Sequence, residues 1–237
     1  MLTPLLDLLV PPACLACRRG GELAPRDVLC RDCRVALPWL GPDVCPRCAL
    51  PVPCGPRCPA RGLSFSSAWS AVAYAGPVPA LVAGLKERGA LAVARLMAAQ
   101  LAALAPPGQW DGEGAALVPV PADPLRRRRR GVDHAARLAA ELAPRCGLPV
   151  APVLARRVSR AGRQAGVGRA ARLVDGRLPV AVRAERRGVP SVAVLVDDVH
   201  TTGATLHACA QALREAGTAE IRAIAYARTL TGKLSGV

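Results

Sequence analysis

The stretch Val192–Thr205, "VAVLVDDVHTTGAT", decides the fold. Its five apolar residues, Val192 to Val196, read as a strand buried on both faces, as in the parallel sheets of α/β domains. Two carboxylates follow, Asp197 and Asp198, expected where the strand ends, and then a loop of Thr201, Thr202, Gly203, Ala204 and Thr205. The loop leads into the helical pattern "ATLHACAQALREAG", which should stop at Gly217. Ligands of open α/β sheets bind at the carboxyl ends of the strands. There the helix start presents free N–H groups and the positive end of its dipole to an anion. The threonine hydroxyls add donors, and Gly203 lets the backbone approach closely. A phosphate beside two carboxylates indicates a sugar phosphate, with the acids accepting from a ribose diol or helping to place Mg²⁺. The Gly-Lys-Ser/Thr ending of a Walker A loop and the three-glycine dinucleotide fingerprint are both missing.

Outward from this stretch the chain alternates strand and helix patterns, as an α/β domain with a largely parallel sheet requires. "AWSAVAYA" (68–75), "AALVPVPA" (115–122) and "EIRAIAYARTL" (220–230) read as strands. Residues 79–105 form an Ala/Leu-rich helical stretch broken near Gly89, and "VDHAARLAAELAPRCG" (132–147) is another helix.

The front of the chain has a different chemistry. Eight of the ten cysteines lie between Cys14 and Cys58, which places a boundary near residue 65: residues 1–64 form one unit and 65–237 the α/β domain. The cysteines come as Cys14/Cys17, Cys30/Cys33, Cys45/Cys48 and Cys54/Cys58. Two thiolates two or three residues apart reach one metal from a tight turn, and two such turns complete a closed Zn(Cys)₄ site. Four turns make two structural Zn²⁺ sites, in small ribbons with too little core to stand without metal. The competing reading is a disulfide framework; the opening "MLTPLLDLLVPPAC" argues against it. No Lys or Arg precedes its apolar run, Asp7 interrupts it and Pro11-Pro12 follow, so it reads as a short amphipathic helix rather than an export signal. Thiols of a cytoplasmic protein stay reduced. A sequential pairing (14/17/30/33 and 45/48/54/58) and an interleaved one both satisfy the spacing. No run reaches the length of a membrane-spanning helix, so no membrane insertion is expected.

The formal net charge is +15 and mostly arginine, which attracts polyanions and suits forked contacts to phosphate. Aromatic residues are only 3% of the chain, too few for an extended base-stacking platform. Arg126 to Arg130 form a run of five arginines. They read either as a solvated or nucleic-acid-facing stretch or as arms, Arg126 and Arg130 among them, that reach a pyrophosphate at the site mouth. His134, His200 and His207 read as structural or solvent-facing, Lys86 as mid-helix, and Cys146 and Cys209 as buried helix thiols.

At residues 197–205 the sequence resembles the 5-phosphoribosyl-1-pyrophosphate (PRPP) binding motif of type I phosphoribosyltransferases, and specifically the ComF family. The likeness also takes in the paired cysteines, "LKERG" (85–89), "LVPVPADPLRRRRRGVDHA" (117–135) and "LARRVSRAGRQAGVGRAAR" (154–172). The resemblance implies a type I phosphoribosyltransferase-like α/β fold behind a double zinc ribbon. It sets Asp197 and Asp198 against the ribose hydroxyls as the catalytic pair, and residues 201–205 around the 5′-phosphate. It makes Lys86 a phosphate contact, 119–124 the pyrophosphate loop and 156–172 a mobile flap in which Gln164 and Arg172 match the family. Where relatives carry Arg-Gly-Phe-Asn-Gln this chain has Arg130-Gly-Val-Asp-His134, and Asp175 stands where Asn is usual. The lost amides change what the pocket is expected to recognise but leave the loop intact. The expected activity is transfer or sensing of a phosphoribosyl group with Mg²⁺ and PRPP, in the cytoplasm. The alternative implied by ComF is a competence accessory protein for DNA uptake, binding single-stranded DNA or a helicase partner.

Overall fold

The computed structural model describes residues 13–20, 23–24, 27–51, 54, 56, 58–87, 91–122, 133–156, 180–183 and 188–230. The helix expected before Pro11 lies outside them. Along the chain come α1 (Arg31–Val35), β1 (Ser67–Ala73), α2 (Val78–Leu85), α3 (Leu91–Leu104), β2 (Ala115–Pro119), α4 (His134–Cys146), β3 (Leu154–Arg156), β4 (Val180–Val182), β5 (Val192–His200), α5 (Ala204–Glu215) and β6 (Glu220–Arg228).

The strands β1, β6, β5 and β2 form one parallel sheet in that spatial order. Residues 149–151 run beside β2, with Leu117 N–H donating to Pro149 O and Ala151 N–H to Leu117 O at 2.9 and 2.8 Å. The strand β5 is therefore central and covered on both faces, which accounts for its unbroken apolar run. Its side chains alternate between two cores, as a pleated strand requires. Val194 and Val196 join Leu81, Leu85, Met97, Leu101, Leu138 and Leu142 of α2, α3 and α4. Ala193 and Leu195 join Leu206, Cys209 and Leu213 of α5.

The helices form where the sequence supplies a stripe and a stop. In α4, Ala135, Leu138, Ala139 and Leu142 recur at helical spacing and are all buried. Asp133 caps it, its side chain accepting from Ala136 N–H at 3.2 Å, and Gly147 ends it in the left-handed region. Aspartate is among the residues that cap helices best, accepting from an N–H that the helix leaves unpaired. The break expected near Gly89 separates α2 from α3.

Two expectations need correction. First, β5 does not end at Val196 but runs through both acids to His200, pairing Asp197 with Ala225 and His200 with Arg228. The ladder to β6 continues because β6 is equally long, nine residues, and pairs with it as far as Arg228. Second, α5 ends at Glu215 with Ala216 as its cap, and Gly217, at φ 103°, is the residue after the cap.

Among the described residues no helix is long and apolar enough to cross a membrane. The small antiparallel pair β3–β4 brackets the segment expected to form the flap, which itself lies outside the described residues.

Candidate functional site

The carboxyl edge of β5 holds two acids in a buried setting, Asp197 9% and Asp198 5% exposed. Burying carboxylates is costly unless cations or donors face them. Asp198 meets both requirements: Lys86 Nζ is 2.6 Å from its Oδ2, and His134 Nε2 is 3.7 Å from its Oδ1. Burial alone would raise the Asp198 carboxyl, but the charges of His134 and then Lys86 outweigh it and hold the group below the ordinary range. Asp197 goes the other way. Its burial, and next the charge of Asp198, push its carboxyl well above that range, against one stabilising bond from Asp198 N–H to Asp197 Oδ1 at 2.9 Å. Adjacent acids with opposite shifts are poised for one to stay charged while the other awaits a proton, a cation or a hydroxyl donor.

Lys86 reaches Asp198 because it is not mid-helix, as its sequence context suggested, but the residue that stops α2. Lys86 N–H bonds back to Ala83 O and Glu87 N–H to Gly84 O, closing the helix in a tighter turn. His134, read from sequence as structural or solvent-facing, is the first residue of α4 and sits against the acid pair. One clue was available in the sequence: it directly follows the Asp133 cap, at the start of the helical pattern that begins after the arginine run.

After His200 the chain turns through Thr201, Thr202 and Gly203 into α5. Thr201, Thr202 and Ala204 are exposed, Thr205 is half-buried and Gly203 is buried. Thr202 Oγ1 accepts from Ala204 N–H at 3.3 Å. Gly203 caps α5 at φ 82°, and a Cβ there would come within 2.8 Å of Leu63 Cδ1 and 3.0 Å of His200 Nε2. Only glycine fits. The start of this twelve-residue helix thus opens beside the acid pair, presenting N–H groups that the helix cannot satisfy itself. Pro119 to Ala122 leave the sheet at the same edge, since Pro119 pairs with Val196. Arg126, Arg130, Gln164 and Arg172 lie outside the described residues. The structure therefore brings Asp197, Asp198, Lys86 and His134 together, and the turn 201–205 follows at the end of the same strand.

The eight front cysteines gather into two clusters, Cys14/Cys17/Cys30/Cys33 and Cys45/Cys48/Cys54/Cys58, with all sulfur atoms in each within 4.8 Å of one another. This is the sequential pairing. None forms a disulfide. The spacings Cys17–Cys30 and Cys45–Cys58, both 3.8 Å, and Cys48–Cys54, 3.4 Å, compare with about 3.8 Å between sulfurs of a tetrahedral site whose Zn–S bonds are about 2.3 Å. The donor set fits Zn²⁺, with no open position for chemistry.

The two first knuckles repeat each other at an offset of 31 residues. Ala13 bridges Gly20 as Val44 bridges Pro51, and Cys14 N–H bonds Arg19 O as Cys45 N–H bonds Leu50 O. Arg18 and Ala49 share a positive φ just past each pair. Burial raises the first thiol of each knuckle, but surrounding backbone N–H groups more than offset it, bringing Cys14 to about 6 and Cys45 to about 7.

Residues 5–61 match the family described as the double zinc ribbon domain, and residues 128–235 match the phosphoribosyl transferase domain. No curated protein matches the chain. The protein thus has a central parallel sheet flanked by helices, a phosphoribosyltransferase domain, and an N-terminal zinc ribbon with two Cys₄ sites.

Metal analysis of the purified protein should find two zinc ions per chain, and chelation should make eight further thiols reactive toward a thiol reagent. Gly203→Ala should lower stability by about 2 kcal/mol in chemical unfolding, from the left-handed backbone and the clash together. His200 is 2% exposed and edge-on to Phe65, and burial, aided by the charge of Arg228, depresses its pKa to about 4. Its folded pKa lies below the unfolded value of about 6.5, so protonation favours unfolding. The stabilisation from keeping it neutral is complete above pH 6.5 and is lost as pH falls toward 4, amounting to about 3 kcal/mol. His200→Gln should flatten the pH dependence of the unfolding midpoint across that window relative to wild type.

Proposed function

We propose that the protein is a ComF-type, PRPP-binding phosphoribosyltransferase that transfers the phosphoribosyl group to an acceptor nitrogen, with residues 1–64 as the zinc-bound unit and 65–237 as the transferase domain. The observation that carries this reading is the meeting of Asp197, Asp198, Lys86 and the 201–205 turn at one sheet edge, within and beside the segment that matches phosphoribosyl transferases. In this reading the ribose hydroxyls donate to Asp197 and Asp198. The 5′-phosphate accepts from the backbone N–H groups at the start of α5 and from the hydroxyls of Thr201, Thr202 and Thr205.

Lys86 is placed to exchange its bond to Asp198 for one to a ligand phosphate oxygen. The exchange would leave Asp198 free to accept from the ribose, so PRPP replaces an internal ion pair rather than entering an empty charged pocket. Carboxylate oxygens of Asp197 and Asp198 and His134 Nε2 lie within 4.8 Å of one another, a set that fits a divalent cation although Lys86 holds one Asp198 oxygen. Mg²⁺ bound with PRPP supplies neutralising charge to the pyrophosphate.

In transfer, the bond from ribose C1 to the pyrophosphate oxygen breaks and its electron pair leaves with pyrophosphate. The acceptor nitrogen bonds C1 and sheds a proton to water. The protein's part is positioning, and electrostatic support of the positive ribose by the carboxylates. We place the protein in the cytoplasm, where PRPP and reduced thiols coexist.

Calorimetric titration of the zinc-loaded protein with PRPP and Mg²⁺ tests this. Wild type should bind, and the Asp197→Asn/Asp198→Asn double variant should bind at least tenfold more weakly. An unchanged affinity in the variant, or no binding by wild type, overturns the reading. Single-stranded DNA binding that weakens steeply with salt, in a protein that ignores PRPP, would favour the accessory role in DNA uptake that the +15 charge also suits.

A further inference from the structure

Arg228 ends β6 and is 2% exposed, and among the described residues its guanidinium donates to main-chain carbonyls. Its Nε donates to Cys48 O at 2.7 Å, inside the second zinc knuckle. Its Nη1 donates to His200 O at 2.8 Å, to Thr201 O, and to Thr229 O at 2.9 Å. One planar fork therefore holds a zinc-ligand residue on one side and the first residue of the 201–203 turn on the other. A guanidinium suits this role because its donors are fixed in direction, whereas an ammonium is a point donor on a flexible stem. Burying an unpaired cation would be costly. Here the carbonyl dipoles of Cys48, His200, Thr201 and Thr229 converge on the guanidinium and offset that cost.

Further contacts bind the same two parts. Leu63 lies where a Gly203 side chain would go, Ser64 N–H donates to His207 Nδ1 at 3.0 Å, and Arg214 donates to Ser64 O at 2.6 Å. The first zinc cluster has no such link among the described residues: Cys14 packs with α2, α3 and α4 in the other core.

We propose that Arg228 is a positioning residue that couples the second zinc site to the phosphate-binding turn. Zinc on Cys45/Cys48/Cys54/Cys58, but not on Cys14/Cys17/Cys30/Cys33, then sets the order of residues 201–206. Through that order it sets affinity for PRPP, a consequence that rests on the function proposed above.

The test is hydrogen exchange of the ligand-free protein, with zinc content and PRPP titration alongside. Arg228→Lys should keep two zinc ions per chain and leave the amides of 193–196 and 221–225 protected, while exchange rises at least tenfold at His207 and Thr229, whose N–H groups bond the turn carbonyls Gly203 O and His200 O at 2.8 and 3.0 Å. PRPP affinity should fall about tenfold. Unchanged protection of His207 and Thr229, or a rise spread evenly over β5 and β6, overturns the proposal. If Arg228→Lys does not fold, Cys58→Ser and Cys17→Ser decide, each disabling one site. Loss of protection at His207 and Thr229 in the first and not the second supports the coupling, and equal or reversed effects overturn it. Because the exchange is read without ligand, the coupling stands or falls separately from PRPP binding.

Discussion

Two carboxylates at the end of the central strand, desolvated by a sheet covered on both faces, are the constraint on which the site depends. Burial works against the charged form of Asp198, and side chains from two helix termini oppose it: Lys86 from the end of α2, 2.6 Å away, and His134 from the start of α4, 3.7 Å away. That requirement fixes where α2 must stop and where α4 must begin. It also explains why the acids remain in the ladder of β5 rather than in a loop. Pairing of Asp197, Val199 and His200 with β6 keeps the strand in the sheet and leaves the two acid side chains to find partners at that edge.

The two zinc sites are not equivalent within the fold. The first is packed into the core under α2, α3 and α4, and the second into the core under α5, the helix that the 201–203 turn leads into. Near-identical knuckles, 31 residues apart, therefore serve different neighbours. A closed Cys₄ site cannot do chemistry, but it can fix backbone, and the second one fixes a carbonyl that shares a guanidinium with His200 and Thr201.

Most of the elements were legible because their signals are local. The apolar run of β5, the stripe of α4 with its cap, the break near Gly89 and the cysteine spacing each depend on residues within a few positions of one another. Misreadings occurred where a residue's role depends on distant partners. Lys86 has the context of an exposed helix residue, and nothing local says that the helix stops beside it. His134 looks unremarkable until α4 is docked on the sheet. Arg228 is one of 32 basic residues, at the end of a strand where a charged side chain is unexceptional. The repeat of the two knuckles could have been found in the sequence, since Cys14 and Cys17 align with Cys45 and Cys48, but the second pair in each ribbon breaks the pattern.

By itself, the sequence determined a parallel α/β domain with an acid pair followed by a threonine- and glycine-rich turn, preceded by four cysteine pairs, because periodicity, capping and ligand spacing are short-range rules. Tertiary structure alone decided which cysteines share a metal, which cations neutralise Asp198, and that Arg228 joins Cys48 to the turn across 180 residues of chain. Those outcomes depend on distances between residues far apart in sequence, and such distances are fixed only when the sheet packs its two faces and the remaining buried charges must find partners within reach.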